Sequence, residues 1–244
     1  MLTVNGAGFG SGATVTVGGN ACLGATYNSV TGAITCQLPA GTGFLQSVVV
    51  VFGKLISASR PLVSYAAPTV YSVSGCTANG NNTVNCARGG GSVITVNGIN
   101  FGASQAQITV GGVPCANVTQ ATAQPHRQAT CTLAAGTQLL DVVTLIQFEG
   151  QVSSQSLTVS YAQCTSGFAA AIGVIVCAQC AQGSYNALVG AVACLPCGAG
   201  TIAPSTGLTV CSACPAGQFQ PTTGQTACEN CIAGNRIRIS LDFV

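Results

Sequence analysis

Short runs in which apolar and polar residues alternate recur along the first two thirds of the chain. Ile94-Thr95-Val96 and Ile108-Thr109-Val110 are typical, rich in Val, Ile and Thr and bounded by Gly and Asn. Successive side chains of a strand point to opposite faces, so this alternation predicts half-buried β-strands joined by tight turns. No stretch sustains a helical period, and the 32 glycines would weaken a helix wherever they fall. The pattern therefore predicts antiparallel sandwiches.

The strands come in two sets. Residues 2–10 (LTVNGAGFG) match residues 94–102 (ITVNGINFG), and residues 15–22 (VTVGGNAC) match residues 108–115 (ITVGGVPC). Residues 35–42 (TCQLPAGT) match residues 130–137 (TCTLAAGT), and both copies close on Val-Ser-Tyr-Ala, at 63–66 and 159–162. The offset drifts only from 92 to 96, which is the signature of one domain used twice with small loop insertions. Phe9, between Gly8 and Gly10, and Phe101, before Gly102, are expected to plug one end of each sandwich, with the glycines supplying positive φ in the turn.

This order of motifs resembles the IPT/TIG family, the immunoglobulin-like domain of plexins, Rel-type transcription factors and many protist surface proteins. The resemblance covers residues 1 to about 162 and implies an Ig-like β-sandwich for each copy. Ser74-Gly75-Cys76 and Asn85-Cys86, followed by Gly89-Gly90-Gly91, look like the opening of such a domain in the second copy. The first copy lacks that opening, including the strand expected around Thr69 to Val73. Because Cys22 and Cys36 stand where Cys115 and Cys131 stand in the other copy, those are the expected disulfides, with Cys76 and Cys86 bridging an Asn-Gly-Asn-Asn turn.

Beyond residue 163 the composition shifts to small residues and cysteine. Cys177, Cys194, Cys211 and Cys228 recur every 17 residues, each followed three residues later by Cys180, Cys197, Cys214 and Cys231, with Cys164 ahead of the array. Each spacer puts Gly third (Gly183, Gly200, Gly217), then Tyr185, Ile202 or Phe219, then Gly190, Gly207 or Gly224. One large apolar side chain per repeat cannot offset the ordering entropy of the repeat, so covalent staples must do so. A loop of ~15 residues closed by a disulfide gains roughly 3 kcal/mol in the chain-entropy model.

This segment resembles the ephrin-receptor-like, GCC2/GCC3-type cysteine-rich repeats, relatives in appearance of EGF and TNF-receptor modules, over residues 164–234. The simplest pairing is sequential: Cys164 with Cys177, Cys180 with Cys194, Cys197 with Cys211 and Cys214 with Cys228. Eight cysteines allow 105 connectivities, so an interlaced scheme stays open. Cys231 is left unpaired, its partner expected in sequence not shown or in a neighbouring subunit. Zinc ribbons also carry paired Cys-x-x-Cys units. Four overlapping units, no histidine and nothing basic to balance thiolates favour disulfides, and a thioredoxin-like role lacks an α/β context.

Charge narrows the function. Six basic and four acidic side chains make up 4% of the chain, against roughly 25% in an ordinary domain. A net charge of +2 without a basic cluster argues against nucleic acid and against electrostatic membrane attachment. So neutral a surface predicts glycan cover or burial in an assembly. Fifteen cysteines predict an oxidising compartment, and the sequons at Asn81 and Asn117 are candidate N-glycosylation sites in loops. No run reaches the ~18 apolar residues of a membrane span, and no secretory leader follows Met1, which predicts a piece of a longer product.

Catalysis is hard to assemble. His126 is the only imidazole and lies in the polar loop Gln124-Pro125-His126-Arg127, with Asp141 and Glu149 the only carboxylates of its copy. No strained nucleophile turn accompanies it. Asp141, Glu149, Glu229 and Asp242 are isolated, so no calcium-type cluster is expected, and with no Trp a lectin-like platform is unmotivated. No cofactor or metal is implied.

The last nine residues break the repeat. Arg236 stands where an aromatic or aliphatic residue is due, and Ile237, Ile239, Leu241 and Phe243 share one face of an alternating segment, an amphipathic strand without a sheet. Donated to a second copy, that strand would complete the first sandwich and build a head-to-tail filament.

The expected architecture is therefore all-β: an N-terminally incomplete Ig-like domain over residues 1–67, a second over 68–162, a stapled repeat rod over 163–234 and a strand-like tail over 235–244. The expected function is structural and non-enzymatic, as a repeating subunit of an extracellular filament or coat such as a flagellar hair, self-associating and carrying attached glycans. A receptor or adhesion ectodomain that binds a protein or glycan ligand is the alternative, and the accessory domain of a carbohydrate enzyme a third.

Overall fold

A computed structural model describes residues 1–148, 150–154 and 156–232, and the fold is all-β. The first sandwich comprises β1 (Leu2–Val4), β2 (Thr14–Val17), β3 (Asn20–Ala21), β4 (Leu23–Tyr27), β5 (Ile34–Gln37), β6 (Gln46–Phe52), β7 (Leu55–Ile56) and β8 (Arg60–Val63). One sheet runs β1-β5-β4 and the other β3-β2-β6-β7, with β8 also on β6. The alternation read from the sequence is what lets each strand bury one face. Val15, Val17, Ile34, Cys36, Val48 and Val50 form the core between the sheets.

The second sandwich comprises β9 (Thr69–Ser74), β10 (Thr77–Asn79), β11 (Asn82–Cys86), β12 (Val93–Ile99), β13 (Gln107–Val110), β14 (Val113–Pro114), β15 (Ala116–Gln120), β16 (Gln128–Thr132), β17 (Asp141–Ile146) and β18 (Thr158–Tyr161). Its sheets run β15-β16-β12-β9 and β10-β11-β18-β17-β13-β14. Strands β12 to β18 repeat the order of the first sandwich. The register agrees residue for residue, with Leu2 opposite Cys36 in one copy and Ile94 opposite Cys131 in the other. Among the described residues, β9, β10 and β11 have no counterpart in the first copy, and the β1-β5-β4 sheet ends on β1 where the second copy has β9.

Phe101 is fully buried and plugs its sandwich, while Phe9 is partly covered. Gly8 and Gly102 take positive φ beside them, and Asn100, at φ 61°, does in the second copy what Gly8 does in the first. Asn tolerates the left-handed region better than other side chains, which explains the exchange.

Two compact units divide the chain: residues 1–86, 90–134 and 139–160 form one, and residues 87–89, 135–138 and 161–244 the other. In the second unit, hairpins β19 (Phe168–Ala169) with β20 (Ala178–Gln179), β21 (Ser184–Tyr185) with β22 (Leu195–Pro196), β23 (Thr201–Ile202) with β24 (Ser212–Ala213), and β25 (Gln218–Phe219) with β26 (Glu229–Asn230) repeat one plan. A backbone ladder ties the repeats together. The amides of Cys180, Cys197, Cys214 and Cys231 donate to the carbonyls of Gly167, Gly183, Gly200 and Gly217. Gly190, Gly207 and Gly224 donate to Cys164, Cys180 and Cys197. At Gly183 (φ 81°) a Cβ would lie 2.1 Å from the carbonyl oxygen of Gly224, so alternate repeats touch through backbone and both positions require glycine.

Disulfides join Cys22 to Cys36, Cys76 to Cys86 and Cys115 to Cys131 in the sandwiches. In the repeats they join Cys164 to Cys177, Cys180 to Cys194, Cys197 to Cys211 and Cys214 to Cys228. Cys231 is an exposed free thiol. Ile237, Ile239, Leu241 and Phe243 lie outside the described residues, as does Glu149.

Candidate binding surface

His126 is engaged through its backbone. The amide of Phe101 donates to the His126 carbonyl at 3.1 Å, and Gly98 donates to the Arg127 carbonyl at 2.8 Å, so this loop closes the end of the sandwich over Phe101. The side chain is exposed beside a shallow hollow of Ala123, Gln124 and Pro125. Among the described residues no three His, Cys, Asp or Glu side chains come together as metal ligands would. Asp141 lies over Gly111, and burial raises its carboxyl above the ordinary value.

A feature that the sequence reading did not single out stands at the start of β6 and of β17. Phe44-Leu45 in the first copy and Leu139-Leu140 in the second are exposed apolar pairs, with exposures of 64%, 63%, 50% and 68%. The second residue of each pair has positive φ, 50° at Leu45 and 60° at Leu140. A left-handed leucine costs on the order of 1–2 kcal/mol. One device holds both turns: the Leu45 amide donates to the Ser64 hydroxyl at 3.1 Å, and the Leu140 amide to the Ser160 hydroxyl at 3.0 Å. Strain and exposure thus fall together, at the same place, twice.

A second arrangement joins the two sandwiches inside their unit. Gln151, only 1% exposed, accepts from the Gly43 amide at 2.9 Å and donates to the Tyr65 carbonyl at 2.8 Å. Gln147 donates to the carbonyls of Ala66 and Asn100, and Asn100 donates to the Ala67 carbonyl at 3.2 Å. In strand register Phe52 and Leu55 of the first copy stand where Gln147 and Gln151 stand in the second. They line an apolar cleft of about 180 Å³ with Phe9 and Ile56, while Leu55 and Ile56 are both 71% exposed.

The family model of the IPT/TIG domain matches residues 1–65 and again 68–161, more than half of the chain. The chain belongs to the IPT/TIG family. A second model, described as tyrosine-protein kinase ephrin type A/B receptor-like, matches residues 200–238 of the cysteine-rich unit. No curated protein matches. Among solved structures, a surface glycan-binding protein from Prevotella bryantii is similar at 15% identity and TM-score 0.40, covering 56% of this chain and 31% of that one. A protein of the Bacteroides ovatus mixed-linkage glucan utilization locus, solved with a mixed-linkage heptasaccharide, is similar at 17% identity and TM-score 0.28, covering 69% and 43%. The chain thus spans less than half the length of these two, and at such similarity neither likeness carries a ligand across.

On the TIG sandwiches, both sequon asparagines are exposed. Asn81 sits in the turn between β10 and β11, and Asn117, at φ 52°, on the bulge of β15. The neighbouring hydroxyls differ: Thr83 is fully buried and donates to the Thr77 carbonyl, whereas Thr119 is exposed. The chemistry such surfaces offer is apolar contact and backbone hydrogen bonding, with little charge to steer an approach.

Proposed function

We propose that this chain is a non-enzymatic binding segment of an extracellular or cell-surface protein. Its TIG sandwiches engage a protein partner through the Phe44-Leu45 and Leu139-Leu140 turns, and its cysteine-rich unit is a disulfide-stapled support. The observation that carries this reading is the pairing of exposure with positive φ at both turns. Leaving large apolar side chains in water forgoes roughly 1.5–3 kcal/mol each, and holding Leu left-handed adds to that cost. A covering partner offsets both. A protein is the better occupant than a glycan, because of these four side chains only Phe44 is aromatic. Seven disulfides and sequons at exposed asparagines support an oxidising, glycosylating compartment.

The reading as a filament subunit draws support from a different observation, a composition only 4% charged, which suits dense lateral packing. Negative-stain images of native material separate the two. Single particles on a membrane, whose partner binding is lost in the F44S/L45S/L139S/L140S variant, support the binding segment. Fibres built from this chain, unaffected by that variant, overturn it in favour of the filament.

A further inference from the structure

The two sequons of the second TIG sandwich both offer the asparagine to solvent, but they differ in the hydroxyl that a glycosylating enzyme reads two residues further on. At Asn81 the sequon is tied into the fold. The Asn81 carbonyl accepts from the Val73 amide of β9 at 2.8 Å, and the Asn82 side-chain oxygen accepts from the Thr158 amide of β18 at 2.8 Å. Thr83 is 0% exposed, and its hydroxyl accepts from the Cys76 amide at 3.0 Å and donates to the Thr77 carbonyl at 3.3 Å. The Cys76–Cys86 disulfide closes the same hairpin. An enzyme that must hold Asn81 and Thr83 together reaches the second only after this hairpin opens.

Asn117 stands on the outer strand of the other sheet. β15 pairs with β16 alone, and its register shifts between Ala116 and Thr119, so Asn117 and Val118 bulge out of the ladder. Thr119 is exposed, and its hydroxyl donates within the sequon, to the Asn117 carbonyl at 3.3 Å. The first sandwich shifts register in the same place, between Leu23 and Thr26, with Gly24 at φ 62° where the second has Asn117 at φ 52°. Glycine takes that conformation freely, so the backbone does not call for asparagine there. The Asn117 side chain is left for another use.

We propose that Asn117 is the N-glycan acceptor of the folded chain and that Asn81 accepts a glycan only before the Cys76–Cys86 hairpin closes, an inference that rests on the extracellular reading above. In the transfer, the Asn117 side-chain nitrogen bonds to the anomeric carbon of an oligosaccharide carried on a polyprenyl diphosphate. The bond from that carbon to the diphosphate oxygen breaks, its electron pair leaves with the diphosphate, and the nitrogen gives up one proton to solvent. A glycan at this bulge stands along the open edge of β15 and keeps another strand from pairing there.

The chain, produced without glycans and with its disulfides intact, is incubated with a purified oligosaccharyltransferase that accepts Asn-x-Thr and with the polyprenyl-diphosphate oligosaccharide, beside a reduced and unfolded sample. Occupancy is read by mass spectrometry of the glycopeptides. In the native chain Asn117 is expected to be modified at least about tenfold faster than Asn81, and in the unfolded sample the two rates should agree within about twofold, because hairpin opening no longer comes first. The C76S/C86S chain should raise the Asn81 rate and leave that of Asn117 unchanged, and Thr119→Ala should abolish transfer to Asn117 alone. Equal rates in the native chain, a faster Asn81, or an Asn117 modified only when unfolded overturns the proposal. With purified components the result does not depend on compartment: a chain modified as expected here that carries no glycan in its native source overturns the extracellular reading and leaves the assignment of Asn117 standing.

Discussion

Phe9 and Phe101 occupy the same place in the two sandwiches, and only Phe101 is fully enclosed, because β9 and its flanking turn complete the second core and, among the described residues, nothing equivalent lies on the first. The same side chain therefore does different amounts of work. Phe101→Ala should cost about 3–5 kcal/mol, the range for a buried aromatic, and Phe9→Ala markedly less. Urea unfolding of the two variants, followed by a probe in each sandwich, checks the ranking; equal losses would mean that the β1 edge is already sealed in solution.

The strained leucines predict an opposition between stability and binding. Leu140→Gly removes an exposed side chain and relieves a positive φ, so it should raise stability by about 1 kcal/mol, and Leu45→Gly should do the same. Partner binding should fall in both. A thermal midpoint that drops instead would show that Leu140 is packed.

Gln151 tests whether the two sandwiches move as one. Its amide accepts from Gly43 and donates to the Tyr65 carbonyl while almost wholly buried. Gln151→Ala leaves a buried donor and acceptor without that partner and should cost about 1–3 kcal/mol. More telling, two unfolding transitions should appear in the variant where one is expected of the wild type for this unit. A single transition in the variant would place the coupling elsewhere, in Gln147 and Asn100.

Much of this fold is legible in the sequence. Alternation gave the strands, and the doubled Thr-Val-Asn-Gly and Val-Gly-Gly motifs gave two sandwiches, because strand period and turn chemistry are local properties. The Phe44-Leu45 and Leu139-Leu140 turns are not legible in the same way. Thr42-Gly43-Phe44-Leu45 and Thr137-Gln138-Leu139-Leu140 read as apolar strand starts, and their left-handed leucines depend on Ser64 and Ser160, 19 and 20 residues further along. The recurrence of a large apolar pair at equivalent places was the available signal. Gln147 and Gln151 likewise read as loop polarity, since nothing near them in sequence announces the Ala66 and Asn100 carbonyls that hold Gln147 or the Gly43 and Tyr65 backbone groups that hold Gln151.

Asp141 gives a pH dependence. Its carboxyl lies over Gly111, where the first copy sets the neutral Gln46 over Gly18, and burial raises its pKa. The folded state then holds the proton more tightly than the unfolded chain. That contribution is present in acid and is lost as pH rises through the folded value. Asp141→Gln, which copies the first sandwich, should raise the thermal midpoint at neutral pH, with the gain fading towards about pH 3, where aspartate is protonated in both states. A gain that is flat from acid to neutral pH would assign it to packing.

The cysteine-rich unit should depend on its staples far more than the sandwiches do. Each repeat carries one half-buried large side chain, Tyr185, Ile202 or Phe219, whereas the sandwiches have shared apolar cores. Its order rests on the Cys164–Cys177 to Cys214–Cys228 disulfides and on a ladder that brings Gly183 against Gly224. Each closed loop contributes about 3 kcal/mol, so losing several removes more than such a unit can hold in reserve. Mild reduction should therefore expose the repeats to proteolysis while the sandwich strands stay protected, read by mass spectrometry of the fragments. Gly183→Ala should have a milder effect of the same kind, because its Cβ meets the Gly224 carbonyl at a positive φ. Cleavage that begins in the sandwiches would mean that packing, and not cross-linking, holds the ladder.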